Sequence, residues 1–285
     1  MQRDADSWAP EDLPLDKPNV ARMYDYYLGG YHNFAIDRQA AEAVIATYPD
    51  FPVAMRANRA FLRRAVKFLA TQGICQFLDI GSGIPTVGNV HEVAQRVQPS
   101  ARVVYVDSDP VTVAHSAAIL GATPNVAALQ ADARQPELIL QHPVTMNLLD
   151  FSQPVAVLLL TVLHFLTDDA EALRTVDALR TGLAPGSYLV ISHGTREHDA
   201  PPEVKEQVLR LYRGTSNPAK PRSATELLQY FEGFDLVEPG LVFTPLWRPE
   251  NAADPLHTHP ERAATYAGVG RKADSSTTQV AASPL

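Results

Sequence analysis

Between residues 76 and 192, short apolar runs alternate with stretches that bring an apolar residue round every three or four positions. The runs are Gln76–Ile80, Arg102–Val106, Val126–Gln130, Val155–Leu160 and Tyr188–Ser192. Between them lie the helical windows Gly88–Val97, Pro110–Leu120, Pro136–Leu140 and Asp168–Leu183. Runs that are apolar throughout, rather than at every second position, predict strands buried on both faces. The alternation with helices predicts a parallel sheet covered on two sides. Upstream, residues 19–70 read as helical. Tyr24, Tyr27 and Leu28 share one face of a helix that Gly29-Gly30 stops; a second helix runs Arg38 to Thr47, and a third from about Val53 to Gln72. Downstream come helices at Pro202–Tyr212 and Ala224–Tyr230. Two short apolar runs joined by Pro239-Gly240 then predict an antiparallel hairpin at the sheet edge, ending near Trp247. Residues 1–17 and 250–285 carry no apolar period and are expected to be tails. The expected organisation is a tail to residue 17, a helical lid over 18–72, an α/β domain over 73–249, and a second, mostly disordered tail.

Composition narrows the function. Twenty-four basic against 32 acidic residues give a formal charge of −8, which argues against a nucleic-acid partner. One cysteine, Cys75, excludes a disulfide framework and a multi-cysteine zinc site. No apolar run approaches the roughly 18 residues that cross a bilayer, and the opening Met1-Gln2-Arg3-Asp4 lacks the apolar core of a leader, so a cytoplasmic protein without a membrane partner is expected. Nothing in the sequence signals an oligomeric state.

The chemistry gathers at the strand ends. The first run closes as Asp79-Ile80-Gly81-Ser82-Gly83, and glycines at a strand-to-helix turn let a ligand approach the backbone. A dinucleotide fingerprint would need Gly or Ala at position 86, which is Thr, and a carboxylate at position 79 would repel a pyrophosphate. It suits a cationic ligand, such as the ammonium and sulfonium of S-adenosylmethionine. The second run ends at Asp107, placed to hold ribose hydroxyls, and the third at Asp132, within reach of an adenine amino group. Asp109 before Pro110 is the better helix cap. Thr161, not an acid, stands at the fourth tip, so no divalent metal is expected there. His257 and His259 lack a third ligand nearby in sequence. His193, ending the fifth run, and His164, just past the fourth, are the candidate general bases, His193 ahead of His164.

Together these residues resemble the class I S-adenosylmethionine-dependent methyltransferases, and more closely one uncharacterised family among them known simply as S-adenosyl methyltransferase. The resemblance rests on Ala21-Arg22-Met23-Tyr24-Asp25-Tyr26-Tyr27-Leu28-Gly29-Gly30, on Asn33-Phe34-Ala35-Ile36-Asp37-Arg38, on Arg56-Ala57-Asn58-Arg59-Ala60-Phe61-Leu62, on Asp79 through Glu92, and on Tyr105-Val106-Asp107-Ser108-Asp109-Pro110 and Leu163-His164-Phe165. It covers about residues 18–248. It implies an α/β Rossmann-like fold with a seven-stranded, mostly parallel sheet, an antiparallel last strand and an N-terminal helical lid. It implies that Asp79, Gly81, Ser82, Gly83, Asp107, Asp132 and Thr161 line the cofactor edge, with Tyr24, Gly29, Gly30 and Arg56 as lid neighbours. The cofactor would be S-adenosylmethionine, with S-adenosylhomocysteine as product and no metal. The family supplies no acceptor. The Tyr-rich lid, with five of ten tyrosines between residues 24 and 48, and the segment Arg196–Arg222 suit an aromatic or apolar small molecule. A non-catalytic sensor that binds the same cofactor is the alternative.

Overall fold

The computed structural model describes residues 16–85, 88–250 and 256–273. Five parallel strands form its centre: β1 (Gln76–Ile80), β2 (Arg102–Asp107), β3 (Val126–Gln130), β4 (Ala156–Leu160) and β5 (Tyr188–Gly194). Three antiparallel strands complete the sheet: β6 (Phe234–Leu236), β7 (Val242–Phe243) and β8 (Thr265–Lys272). The order is β3-β2-β1-β4-β5-β8-β6, with β7 pairing β8 off the main path. Chain order reverses between β1 and β4, and the carboxyl edge beside that reversal is where open α/β sheets bind ligands. This is the Rossmann-like class I methyltransferase fold, with seven strands along the path.

Alternation within the strands sorts the core. Phe77, Val103, Leu158 and Val190 face α3 (Phe51–Thr71) and α4 (Val90–Val97). Leu78, Val104, Val157 and Leu189 face the opposite side, with α6 (Pro136–Gln141), α8 (Asp169–Gly182) and α10 (Ala224–Leu228). Three further helices, α5 (Pro110–Leu120), α7 (Pro143–Leu148) and α9 (Pro202–Arg213), complete the connections. Helix α3 is therefore part of the main core rather than of a lid: Phe61 and Leu69 are fully buried against the sheet. The cover over the carboxyl edge is a separate cluster. It joins Met23 and Tyr27 of α1 (Val20–Tyr27) and Val44 of α2 (Ala35–Thr47) to Val208 and Tyr212 of α9.

Buried ion pairs fix the cover. Asn19 caps α1 by accepting from the backbone N–H of Ala21 at 2.8 Å. Asp37, fully buried, accepts from the Asn19 N–H at 2.8 Å, from Arg22 Nε at 2.8 Å and from the Phe34 N–H at 2.9 Å. The same Arg22 guanidinium reaches Asp109 at the start of α5, at 3.6 Å. Residues of the string Ala21–Gly30, with Asp37, thus tie α1 and α2 to the sheet domain.

Two expectations are corrected here. The two runs flanking Pro239-Gly240 do not form a hairpin; β6 and β7 each pair with β8. And β8 lies inside the segment expected to be a tail. Its sequence, Thr265-Tyr266-Ala267-Gly268-Val269-Gly270-Arg271-Lys272, hides the strand because glycines occupy one face. A Cβ on Gly268 would meet Phe231 at 2.9 Å, and one on Gly270 would meet Phe234 at 2.8 Å. Ring area from neighbouring residues fills the space that strand side chains ordinarily take. Ahead of β8 the same segment forms a turn at Pro260–Ala263, with Arg262 paired to Asp50, and residues 1–15, 251–255 and 274–285 of the expected tails lie outside the described residues.

Gly270→Val should accordingly lower stability by about 1–3 kcal/mol through overpacking against Phe231 and Phe234. Thermal unfolding should register this as a fall of several degrees in Tm. An unchanged Tm would mean that β8 does not pack as described.

Candidate functional site

At the carboxyl edge the strands bring their chemistry into one cavity of about 280 Å³. Asp79 occupies the tip of β1, on the row of Phe77, so its carboxylate faces α3. It is 3% exposed, and burial pushes its carboxyl up to about 7; the nearby Arg59 guanidinium opposes that rise and Asp107 adds to it. Asp107 continues the Val103–Tyr105 row at the tip of β2. Its two oxygens accept from the Gly83 N–H at 2.9 Å and the Asp109 N–H at 3.0 Å. Burial nonetheless pushes it up to about 6.

The two loop glycines differ. Gly81, at φ +71°, backs onto the next loop: a Cβ there would lie 2.5 Å from Val162 Cγ2. Gly83, at φ +62°, has nothing within 4 Å of its notional Cβ and lines the cavity. Both glycines line the cavity, Gly83 with open space where a Cβ would be and Gly81 with Val162 behind it. Ser82 donates its N–H to the Val106 carbonyl at 3.0 Å, which holds the loop against β2. Thr161 turns the chain sharply after β4, at φ +53°, with its N–H bonded to the Ser192 carbonyl at 2.9 Å.

Asp132 also lines the cavity, but its carboxylate takes bidentate contacts from Arg134, the shorter at 2.6 Å, and the hydrogen bonds from Arg134 hold it below the usual range. Tyr24 lines the cavity too. Its hydroxyl donates to the Met55 carbonyl at 3.3 Å and accepts from Asn58 Nδ2 at 3.0 Å.

Three expected lid neighbours fall elsewhere. Arg56 is exposed, on the outer stripe of α3 with Arg63 and Lys67. One helical turn on, Arg59 is buried, lines the cavity and donates to Asn89 Oδ1 at 3.2 Å. The phase of Met55, Asn58, Arg59 and Leu62 against that charged stripe was the available signal for it. Gly29 and Gly30 do not line the cavity. Gly30 makes room for Asp25, whose Oδ1 would lie 2.0 Å from a Cβ at that position; the Asp25 carboxylate in turn accepts from the His32 N–H and from Asn33 Nδ2, both at 2.8 Å. The glycine pair is the stop of α1, held by a buried carboxylate.

The histidine order is reversed. His193 lies on the Leu189–Ile191 row, facing Tyr230 on the side away from α3, and is fully buried. Arg222 approaches its Nε2 at 3.0 Å, and a guanidinium only donates, so Nε2 accepts. Nδ1 then carries the proton and donates to the Gly194 carbonyl at 2.7 Å. Both nitrogens are committed, and burial with His164 and Arg222 nearby keeps the ring neutral. His193 is thus a packing histidine. His164 does line the cavity. Its Nδ1 accepts from the Gly194 N–H at 3.4 Å, which leaves the ring proton on Nε2, and burial beside Arg222 lowers it to about 3.

The other half of the cavity was not foreseen in detail. Rings follow one another around it: His198 to Tyr48 at 5.9 Å, Tyr48 to Phe51 at 6.4 Å, Phe51 to Tyr212 at 6.1 Å, and Tyr212 to Phe165 at 6.4 Å. Among the described residues, no group of three His, Cys, Asp or Glu side chains is placed to hold a metal ion, and no helix is long and apolar enough to cross a membrane.

The family model described as S-adenosyl methyltransferase matches residues 6–273. The chain belongs to that family. Two solved structures resemble the chain over nearly its whole length. A presumed methyltransferase of Thermobifida fusca is 43% identical, with a TM-score of 0.86, over 94% of this chain and 99% of its own. A DUF574 family protein of Streptomyces avermitilis is 41% identical, with a TM-score of 0.85, over 90% and 98%. No curated protein matches the chain. For an S-adenosyl methyltransferase the donor set at this edge is apt: two carboxylates, one guanidinium and an open glycine, suited to a ligand that carries both an amino-acid end and a cation.

Arg222 holds the floor of the site together. It donates to the carbonyls of Leu163 at 3.0 Å and Leu166 at 2.8 Å, to His193, and to Asp169 at 2.9 Å. Arg222→Met should remove the donor to the Leu166 carbonyl and to His193 Nε2, while Lys220 still serves Asp169 and the Leu166 N–H still serves Leu163, and cost about 1–3 kcal/mol. Urea denaturation measures the loss, and a change below 1 kcal/mol would remove Arg222 from this role.

Proposed function

We propose that the protein transfers the methyl group of S-adenosylmethionine to a small-molecule acceptor held beneath α9. The observation that carries the reading is the single cavity joining the Asp79–Arg59–Gly83 edge to the ring of aromatic side chains. Asp79 would face the cofactor's ammonium, Arg59 its carboxylate and Asp107 its ribose hydroxyls, while the space at Gly83 admits the chain between them. Asp132, paired with Arg134, contributes to the adenine end only if that pair opens.

When bound, the cofactor supplies a methyl group on a sulfonium, whose C–S electron pair stays with sulfur as a lone pair of the acceptor atom takes the carbon. The protein's part is to hold that lone pair in line and to exclude water. Helices α1 and α9 and the aromatic side chains do both. His164, with its proton on Nε2, donates to the acceptor atom rather than deprotonating it. A neutral hydrogen-bond donor beside the reacting atom favours an acceptor that is already ionised or needs no base.

The raised carboxyl of Asp79 gives this reading a pH signature. Only the ionised form attracts a cation, and Asp79 is ionised above about 7 in the free protein. Affinity for S-adenosylhomocysteine should therefore rise from pH 6 to pH 8, and binding near pH 6 should release protons. Asp79→Asn should weaken binding and flatten the part of the profile centred near 7. Calorimetry in buffers of different ionisation enthalpy checks both. An affinity independent of pH would remove Asp79 from the contact.

A second measurement separates the two arginines of α3. Arg59→Met should weaken S-adenosylhomocysteine at least about tenfold and leave adenosine, which has no carboxylate, almost unchanged. Arg56→Ala should alter neither. Failure of S-adenosylmethionine and S-adenosylhomocysteine to bind the wild-type protein at any pH in this range would overturn the function itself.

A further inference from the structure

The cavity is electrically divided. Its carboxylates, Asp79, Asp107 and Asp132, all stand on the tips of β1 to β3 or just beyond them. The opposite wall, from the tips of β4 and β5 across α9, has histidines, Lys205 and Arg196, the last paired with Glu226 at 2.9 Å, but no acidic side chain among the described lining residues. Lys205, half-buried on α9, points its ammonium at the backbone carbonyls of Arg196 at 2.9 Å and His198 at 2.5 Å. It forms no ion pair with a carboxylate among the described residues, although α9 carries Glu203 and Glu206 on either side of it; Glu206 is bound to Arg213 instead. An ammonium with three donors and two neutral acceptors keeps one hydrogen-bond direction for a ligand.

His198 stands beside it. Its Nδ1 is buried and has no hydrogen-bond partner, and burial together with Lys205 lowers the ring to about 4, so the ring adds no cation there, and the Arg196 guanidinium is already paired with Glu226. From His198 the line of rings runs by Tyr48, Phe51, Tyr212 and Phe165 to His164, next to Thr161 and Gly194 at the cofactor edge. A flat molecule lying along those rings would present one end to Lys205 and the other to His164.

Resting on the methyl-transfer reading above, we infer that the acceptor is an elongated aromatic acid, its ring held among Phe51, Phe165 and Tyr212 and its carboxylate anchored by Lys205. The anchored carboxylate fixes which atom reaches the methyl group, because only the far end of the molecule comes to His164. Acid and cofactor cation then occupy opposite walls of matching charge, which favours productive over reversed insertion.

Three probes that share a ring and a three-carbon arm isolate the charge: cinnamate, cinnamyl alcohol and cinnamylammonium. Each is titrated calorimetrically into the full chain saturated with S-adenosylhomocysteine. Cinnamate should bind at least about tenfold more tightly than the alcohol, and the ammonium most weakly. Lys205→Met should bring cinnamate down to the affinity of the alcohol, and Lys205→Arg should restore most of the difference. Titration of each variant with S-adenosylhomocysteine reports whether its cofactor half is folded. Should Lys205→Met not fold, the wild-type ranking of the three probes decides alone. Equal affinities, no binding by any of the three, or a preference for cinnamate that survives in a folded Lys205→Met would overturn the inference. No binding of S-adenosylhomocysteine to the wild type would instead overturn the methyl-transfer reading on which it rests.

Discussion

In β1, Asp79 lies opposite Tyr105 of β2, and also opposite Leu158 of β4. Parallel hydrogen bonding to both neighbours puts the carboxyl ends of all three strands at one edge, and the reversal of chain order between β1 and β4 opens a crevice there. The placement of Asp79 and Asp107 at the cavity follows from that register. A slip of one residue in β1 would turn Asp79 toward α8 and put Ile80 into the cavity. The register is secured by apolar side chains: β1 and β4 are buried along their whole length, and each face has its own helices to fill. The site is thus aligned by packing some distance from it.

Above that sheet, guanidinium groups do much of the joining. Arg22, Arg59, Arg64 and Arg222 are all buried. Arg64 donates to the carbonyls of Thr244 at 2.7 Å and Trp247 at 2.8 Å, fastening the segment after β7 to α3, while Trp247 packs edge-on against Phe61 and Phe68. Arg222 does the same for the loops after β4 and β5. Loops that carry no regular structure leave carbonyls needing donors, and a planar group with five N–H bonds meets several at once. Asp79 shows the opposite case: a carboxylate kept buried with its titration raised, a condition that suits a ligand bringing its own positive charge.

The parts that were legible in the sequence are those whose signal is local. Runs such as Val155–Leu160 announce a doubly buried strand, and Asp79-Ile80-Gly81-Ser82-Gly83 announces the ligand edge. Placements that depend on distant partners were not legible. Gly268 and Gly270 make β8 unreadable as a strand because Phe231 and Phe234 supply its missing area. Arg56 and Arg59 are three residues apart, and helical phase separates them, but that Arg59 meets Asp79 depends on where α3 crosses the sheet. For His193 the contrary mark is in its own strand: counting alternate residues from Leu189 through Ile191 puts it on the face away from Asp79 and Asp107. Lys205 had no local mark at all, since its significance comes from the carboxylates that are missing around it.

The position of β8 in the chain bears on how the protein is made. During synthesis β1 to β5 emerge together, with helices for both faces, and the parallel half of the sheet has all its strands once β5 leaves the ribosome. Its edge strand β5 then has no neighbour on one side until Thr265–Lys272 emerges, because β6 and β7 pair with β8 and not with β5. For that interval a long apolar strand displays unpaired backbone groups, the condition in which chains join edge to edge. The nascent protein is therefore most exposed to misassembly late in its synthesis, after most of its core is already present, and a chaperone that shields strand edges would act on it in that interval.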